Sequence, residues 1–235
     1  MINIIRIIFV IIINVLGILC PNEQLFDCLL YLNNLTFGLA KPIIRDLRKY
    51  KHDCNILVYN HNSYTDNFIL TAVFGIANIT FLIHSKVADI PFVKQYVNNY
   101  DLIVIHPVKK DTTQKIINYA NDITKLKYLA MAPAASHAQY DDKIGKFASG
   151  AFVPMKPVLP VIIKYKDDKG TWFNENKTHM KDFKEWFIKM FQLQFRRSLY
   201  QTEVIIMEEV TPDGCQTPKE YASKVEQIMR KEYYG

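Results

Sequence analysis

The sequence predicts a mixed α/β domain, its sheet largely parallel and flanked by helices, with a hydrophobic, membrane-anchoring helix at the N-terminus. Three observations predict it. From residue 54 onward, short apolar runs rich in β-branched residues alternate with segments of helical period, the pattern of strands joined by helical crossovers. The 235 residues are 49% hydrophobic and 13% aromatic, enough for one domain with a sizeable core and too apolar for disorder. The first twenty residues, MINIIRIIFVIIINVLGILC, form the most hydrophobic stretch of the chain.

That first stretch comes first in order. Between Ile4 and Cys20 only Arg6 and Asn14 interrupt the apolar run, which is about the minimum length that crosses a bilayer core, roughly 17 residues. Three readings compete. A cleaved signal peptide needs a small-x-small site, and none precedes Pro21. A core helix needs a polar face, and none is present. A membrane anchor needs neither, and Arg6 can snorkel to the interface. The anchor either spans the bilayer or lies in one leaflet. The basic cluster Lys41, Arg45, Arg48, Lys49, Lys51 and His52 belongs on the cytoplasmic side, near anionic lipid. A domain on that side faces the cytoplasm. The division expected is an anchor over 1–20, membrane-proximal helices over 21–50 and the α/β domain over 51–235.

In residues 24–50, Leu25, Leu29 and Leu32, then Ile43, Ile44 and Leu47, fall at helical spacing and are broken near Gly38 and Pro42. They predict two short helices lying on the membrane. CNILVYN (54–60) reads as a buried strand, DNFILTAVFGIA (66–77) as a helix and ITFLIH (79–84) as a second strand. PFVKQYVNNY (91–100) reads as a short helix, DLIVIH (101–106) as a third strand, and DTTQKIINYANDITK (111–125) as an amphipathic helix capped by Asp111. YLAMAP (128–133), VLPVIIKY (158–165) and TEVIIMEEV (202–210) supply three more strands. PKEYASKVEQIMRKEYY closes the chain as a helix with Pro218 in its first turn.

Net charge is +6, with a pI near 9.0, which suits phospholipid headgroups, nucleotide phosphates or nucleic acid. Nucleic acid is the weakest partner: Lys and Arg are scattered, and the aromatics fall in apolar periods instead of alternating with basic residues. The four cysteines, at 20, 28, 54 and 215, show neither C-x-x-C nor zinc spacing and read as reduced thiols. No metal site is expected.

The chemistry concentrates in YNHNSYTD (59–66). His61 falls just past the end of a predicted strand, where ligands collect in α/β sheets. Asp66 falls in the first turn of the next helix, where the macrodipole favours a carboxylate. If the loop folds back, Asp66 accepts from one imidazole nitrogen and the other is left as a base for an alcohol. The same pattern also suits a helix cap beside a solvated histidine.

Further stretches align in order with one family. NHNSYTD (60–66) looks like the N-H-x-x-x-x-D block of glycerolipid acyltransferases. SKVADIPFV (85–93) resembles their Lys-rich segment ending in I-P-F. DLIVIHPVKKDT (101–112) sits where they have a strand ending in V-x-R, and MAPAASH (131–137) where they have P-E-G-T-R or P-E-G-T-C. KFASGAFVPMKPVLPVIIKY (146–165) is similar to F-K-x-G-A-F-x-P-x-x-P-V-x-P-V, the form seen in lysophosphatidylcholine acyltransferases and their relatives. The resemblance covers about residues 45–230. It implies an acyltransferase domain over 51–235 that moves a fatty acyl group from acyl-CoA, a co-substrate, to the hydroxyl of a lysophospholipid or related glycerolipid at a membrane, with no cofactor. His61 and Asp66 would be catalytic. Substrate contacts are implied at Asn60 and Ser63, at His106 and Lys109, at Ser136 and His137, and at Lys146 and Gly150.

The pattern also breaks. The arginine that ends the second block is His106 here. The glutamate, glycine and arginine of the third are Ala134, Ala135 and His137. In the family these groups hold the acceptor's phosphate. A guanidinium offers a permanently charged, two-pronged fork, whereas a free histidine is mostly uncharged above about pH 7. Phosphate capture should therefore weaken. The acceptor is then held differently, or Lys109, His137 or Lys146 carries the phosphate in a slower enzyme. The alternative is an acyltransferase-fold protein that binds acyl-CoA or lipid with weak or no turnover.

Overall fold

The structure, a computed structural model, describes Ile8, Ile12, Val15 and Leu16, and residues 42–49, 54–62, 66–88, 103–105, 111–122, 127–134, 143–166 and 201–235. Seven strands form one sheet: β1 (Ile43–Asp46), β2 (Ile56–Tyr59), β3 (Ile79–His84), β4 (Ile103–Ile105), β5 (Tyr128–Met131), β6 (Val158–Lys166) and β7 (Gln201–Ile206). Their spatial order is β1-β7-β6-β2-β5-β3-β4. Every neighbouring pair is parallel except β6 with β7. The expected mixed, largely parallel sheet is therefore present, and β2 lies at its centre.

A central parallel strand must be apolar on both faces. All four residues of β2 are buried: Ile56 and Val58 point to one face, Leu57 and Tyr59 to the other. On the first face the core continues into α3 (Asp111–Asn121) and α4 (Pro218–Tyr234) through Ile116, Tyr119, Tyr221, Val225 and Met229. On the second it continues into α1 (Asp66–Phe74) through Ile69 and Leu70. A one-turn helix, α2 (Ser85–Ala88), follows β3. Gly75, at φ 80°, closes α1 by returning its N–H to the Thr71 carbonyl at 2.8 Å. At the start of α4, the Thr217 hydroxyl accepts from the Glu220 N–H at 3.2 Å, with Pro218 in the first turn as expected.

One expected element is corrected. Ile43, Ile44 and Leu47 belong to no helix; residues 43–46 form β1, parallel to β7. Helical spacing over five residues also fits an edge strand, and the pairing partner lies about 160 residues away (Ile43 opposite Glu203). The sheet therefore begins before residue 51. Neighbouring charges in the basic cluster are partly matched on site. Arg45 pairs with Glu203 at 3.2 Å and Glu232 at 3.5 Å, and Arg48 with Asp46 at 2.6 Å.

The helices expected over 24–41 and 91–100 lie outside the described residues, as does most of 1–20. Ile8, Ile12, Val15 and Leu16 are helical and exposed, at a spacing that lines one helical stripe. No described helix is long and apolar enough to cross a membrane.

Candidate active site

The site grows from the end of β2. Past Tyr59 the strand loses its partner across β6, because β6 runs on to Lys166. Asn60 fills the gap with its side chain. Its Oδ1 accepts from the Ile163 N–H at 2.7 Å, and its Nδ2 donates to the Ile163 carbonyl at 3.0 Å. One amide thus supplies both halves of the missing ladder rung, which only a side chain with a donor and an acceptor can do. Nδ2 also reaches the Lys143 carbonyl at 3.5 Å. Asn60 is fully buried. It fixes the exit of the chain from β2 and has no surface to offer a substrate.

His61 follows, a quarter exposed, and its Nδ1 lies 2.7 Å from Oδ2 of Asp66, which is fully buried. The same Oδ2 accepts from the Asn62 N–H at 2.8 Å. His61 and Asp66 are therefore in contact, the first of the two arrangements that the sequence left open. Oδ1 accepts from the Tyr165 hydroxyl at 2.5 Å. A carboxylate only accepts, so Nδ1 of His61 is the donor in this bond, and in the neutral ring the lone pair is then on Nε2. A buried carboxylate with hydrogen-bond donors on both oxygens meets the condition for burying charge at tolerable cost.

Two tyrosines on the same sheet face hold the start of α1. Tyr165 of β6 binds Asp66, and Tyr59 of β2 donates to Asn67 Oδ1 at 2.8 Å. Burial holds the Tyr59 phenol far above its usual range, and the Asp66 charge adds to this. Tyr233 of α4 is raised in the same way, by burial and then by Tyr234 and Asp66. Its ring also lies under the Lys164 ammonium, 4.8 Å from the centroid. Burial thus keeps the Tyr59 and Tyr233 phenols in their neutral form well past the ordinary tyrosine range.

A second segment meets the end of β2 where the Lys143 carbonyl lies beside Asn60. The C-terminal helix grips residues 143–147 by their backbone. The Lys143 N–H donates to the Tyr234 hydroxyl at 2.9 Å, Arg230 Nη2 donates to the Gly145 carbonyl at 2.9 Å, and the Phe147 N–H donates to Glu226 Oε2 at 2.8 Å. Ile144 between them is buried, and Lys146 is exposed. Gly150 is also exposed, in a 3₁₀ turn over Ser149–Phe152, with open space where a Cβ would stand. Ala134, at the position of the expected glutamate, is fully buried in the apolar core. Ser63, His106, Lys109, Ser136 and His137 lie outside the described residues. Among the described residues no group of three or more His, Cys, Asp or Glu is placed to hold a metal ion.

The structure thus brings His61 and Asp66 together, turns Asn60 away into the sheet and leaves Lys146 and Gly150 at the surface. Tyr165 was not singled out by the sequence. The available signal was its place at the end of an apolar strand, where a buried tyrosine needs a partner for its hydroxyl.

Comparison with known families matches residues 44–164, just over half of the chain, to the family described as Acyltransferase. The chain belongs to the acyltransferase family. Among solved structures, the 1-acyl-sn-glycerophosphate (LPA) acyltransferase PlsC from Thermotoga maritima is similar, with a TM-score of 0.54 and 16% identity over 98% of this chain and 95% of that one. At such identity the likeness speaks for the fold. No curated protein matches the chain significantly. In this acyltransferase, the match ends at Lys164, one residue short of Tyr165, and includes both His61 and Asp66.

Proposed function

We propose that the protein transfers a fatty acyl group from a CoA thioester to the hydroxyl of a lysophospholipid or related glycerolipid. The observation that carries this reading is the 2.7 Å contact between His61 Nδ1 and the buried Asp66. It fixes the tautomer and leaves Nε2 as the base. Nε2 takes the proton of the acceptor hydroxyl as its oxygen forms a bond to the thioester carbonyl carbon. The tetrahedral intermediate then collapses, the C–S bond breaks, and the imidazolium returns its proton to the departing thiolate. Asp66 stabilises the imidazolium while it exists. No covalent acyl-enzyme and no cofactor enters this scheme.

The reading places the domain at a membrane, with the apolar N-terminal residues as the anchor and the domain on the cytoplasmic face. The exposed Ile8, Ile12, Val15 and Leu16 support that placement. The acceptor is one whose headgroup is held differently from a free phosphate monoester. Ala134, buried among apolar residues, supports this: the position offers no post for a phosphate-binding loop.

The test is release of free thiol by the purified full-length protein in detergent micelles. Palmitoyl- and oleoyl-CoA serve as donors, beside palmitoyl acyl carrier protein. The acceptors are lysophospholipids with exposed and with capped phosphate. Turnover with a capped acceptor is expected, and His61→Ala should lower it by at least about a hundredfold, the usual scale of general-base catalysis. Turnover unchanged in that variant refutes the mechanism. A wide preference for lysophosphatidate refutes the acceptor assignment. Donor binding without thiol release from any pair leaves a lipid- or CoA-binding protein on this fold.

A further inference from the structure

We infer that Tyr165 is a positioning residue of the acyl-transfer site, holding the Asp66 carboxylate in the plane that serves His61. The inference rests on the catalytic reading of His61. Asp66 has one oxygen for the imidazole, and that oxygen also receives the Asn62 N–H. The other is held by the Tyr165 hydroxyl at 2.5 Å. A carboxylate turns about its last side-chain bond with little resistance. Loss of the phenol donor at Oδ1 loosens the carboxylate plane, and with it the direction of the His61 bond. A second donor on Oδ1 removes this freedom, as outer hydrogen bonds do for metal-bound histidines.

The hydroxyl is not needed for packing. Tyr165 is 3% exposed on an apolar sheet face beside Val161, Ile163 and Val204, where phenylalanine has nearly the same shape. Its position is also unusually well fixed. β6 pairs with β7 along six residues, ending at Tyr165 opposite Thr202 and Lys166 opposite Gln201. Two residues before Tyr165, Asn60 binds both backbone groups of Ile163. The chain that carries His61 is thereby tied to the strand that carries Tyr165. The distance from the phenol to the start of α1 is set by this frame and not by a loop.

Tyr165→Phe separates positioning from packing. In the full-length protein its kcat is expected to fall about tenfold, with KM for donor and acceptor unchanged within about twofold and the thermal midpoint lowered by only a few degrees. In an Asp66→Asn background the same change should cost less than about twofold, because the carboxylate it orients is gone. An equal loss in both backgrounds, a loss confined to KM, or an unfolded variant overturns the inference. Replacing Tyr165 with 3-fluorotyrosine keeps the fold and strengthens the O–H donor, so an unchanged kcat there also counts against it. A second readout needs no turnover: the ring N–H proton of His61 in the magnetic resonance spectrum, assigned by its absence in His61→Gln. Tyr165→Phe should shift it and speed its exchange with solvent. If the wild type transfers no acyl group, the proposed function fails and this proton alone decides the role of Tyr165; an unmoved signal overturns it.

Discussion

Replacing Asp66 by asparagine removes a charge and keeps the shape, which makes it the sharpest perturbation of this site. Among the described residues, His61 Nδ1, the Asn62 N–H and the Tyr165 hydroxyl all converge on the carboxylate. An asparagine with Oδ1 turned toward His61 and Asn62 keeps two of them. Its NH₂ then faces the phenol, which can rotate and accept. Stability should fall by only about 1–2 kcal/mol, roughly 2–8 °C for a chain of this size. Catalysis loses more. The imidazolium that forms during proton transfer no longer meets a charge. A hydrogen bond to a charged group is worth about 1.5–3 kcal/mol, which at about 1.4 kcal/mol per tenfold is roughly a 10- to 150-fold loss in kcat. Asp66→Ala has the opposite balance. It strands three donors, two of them on residues only 3% exposed, at about 1–3 kcal/mol each. Relief of carboxylate desolvation offsets part of this. A net cost of about 2–4 kcal/mol, or roughly 5–15 °C, is expected. Thiol release and calorimetry on the same preparations compare the two variants. If Asp66→Asn turns over within about twofold of wild type, the carboxylate does not serve His61 and the mechanism falls. If it unfolds as readily as Asp66→Ala, the contact is chiefly structural.

Asn60→Ala should destabilise the fold by about 2–4 kcal/mol, since the Ile163 N–H and carbonyl both lose their partner in a buried site; urea unfolding measures it, and a change under about 0.5 kcal/mol disproves the rung. Alkaline pH should unfold the protein progressively. Tyr59, Tyr221 and Tyr233 are all held above the usual phenol range, chiefly by burial. The unfolded chain therefore releases phenolic protons first, and stability declines above about pH 10, the ordinary tyrosine value. Urea titrations between about pH 8 and 11 that show no decline refute it. Cys54 is raised likewise, by burial and then by the Glu209 charge and hydrogen bond. At about pH 8 it should react with iodoacetamide at least about tenfold more slowly in the folded protein than in urea, read by mass spectrometry. Arg230→Ala removes the guanidinium bond to the Gly145 carbonyl, so trypsin should cut after Lys143 or Lys146 several-fold faster, for a local loss of about 1 kcal/mol; an unchanged cleavage rate shows that α4 does not hold this segment through Arg230.

Sequence by itself determined the alternating strands and helices, because each depends on apolar period, β-branched content and terminal signals that act over a few residues. The Thr217–Pro218 start of α4 and the buried run of β2 are local in this sense. It also placed His61 at a strand end and Asp66 in the first turn of a helix, five positions apart. Tertiary structure alone decided the rest. Residues 43–46 became a strand through pairing with β7, which no local window contains. Asn60 turned into the sheet because β6 outruns β2 and exposes a rung that its amide completes. Tyr165 reached Asp66 across 99 residues because β6 lies beside β2 on the face that α1 covers. Backbone propensity is set by neighbours in the chain. The partner of a buried polar atom is set by whichever strand the sheet brings alongside.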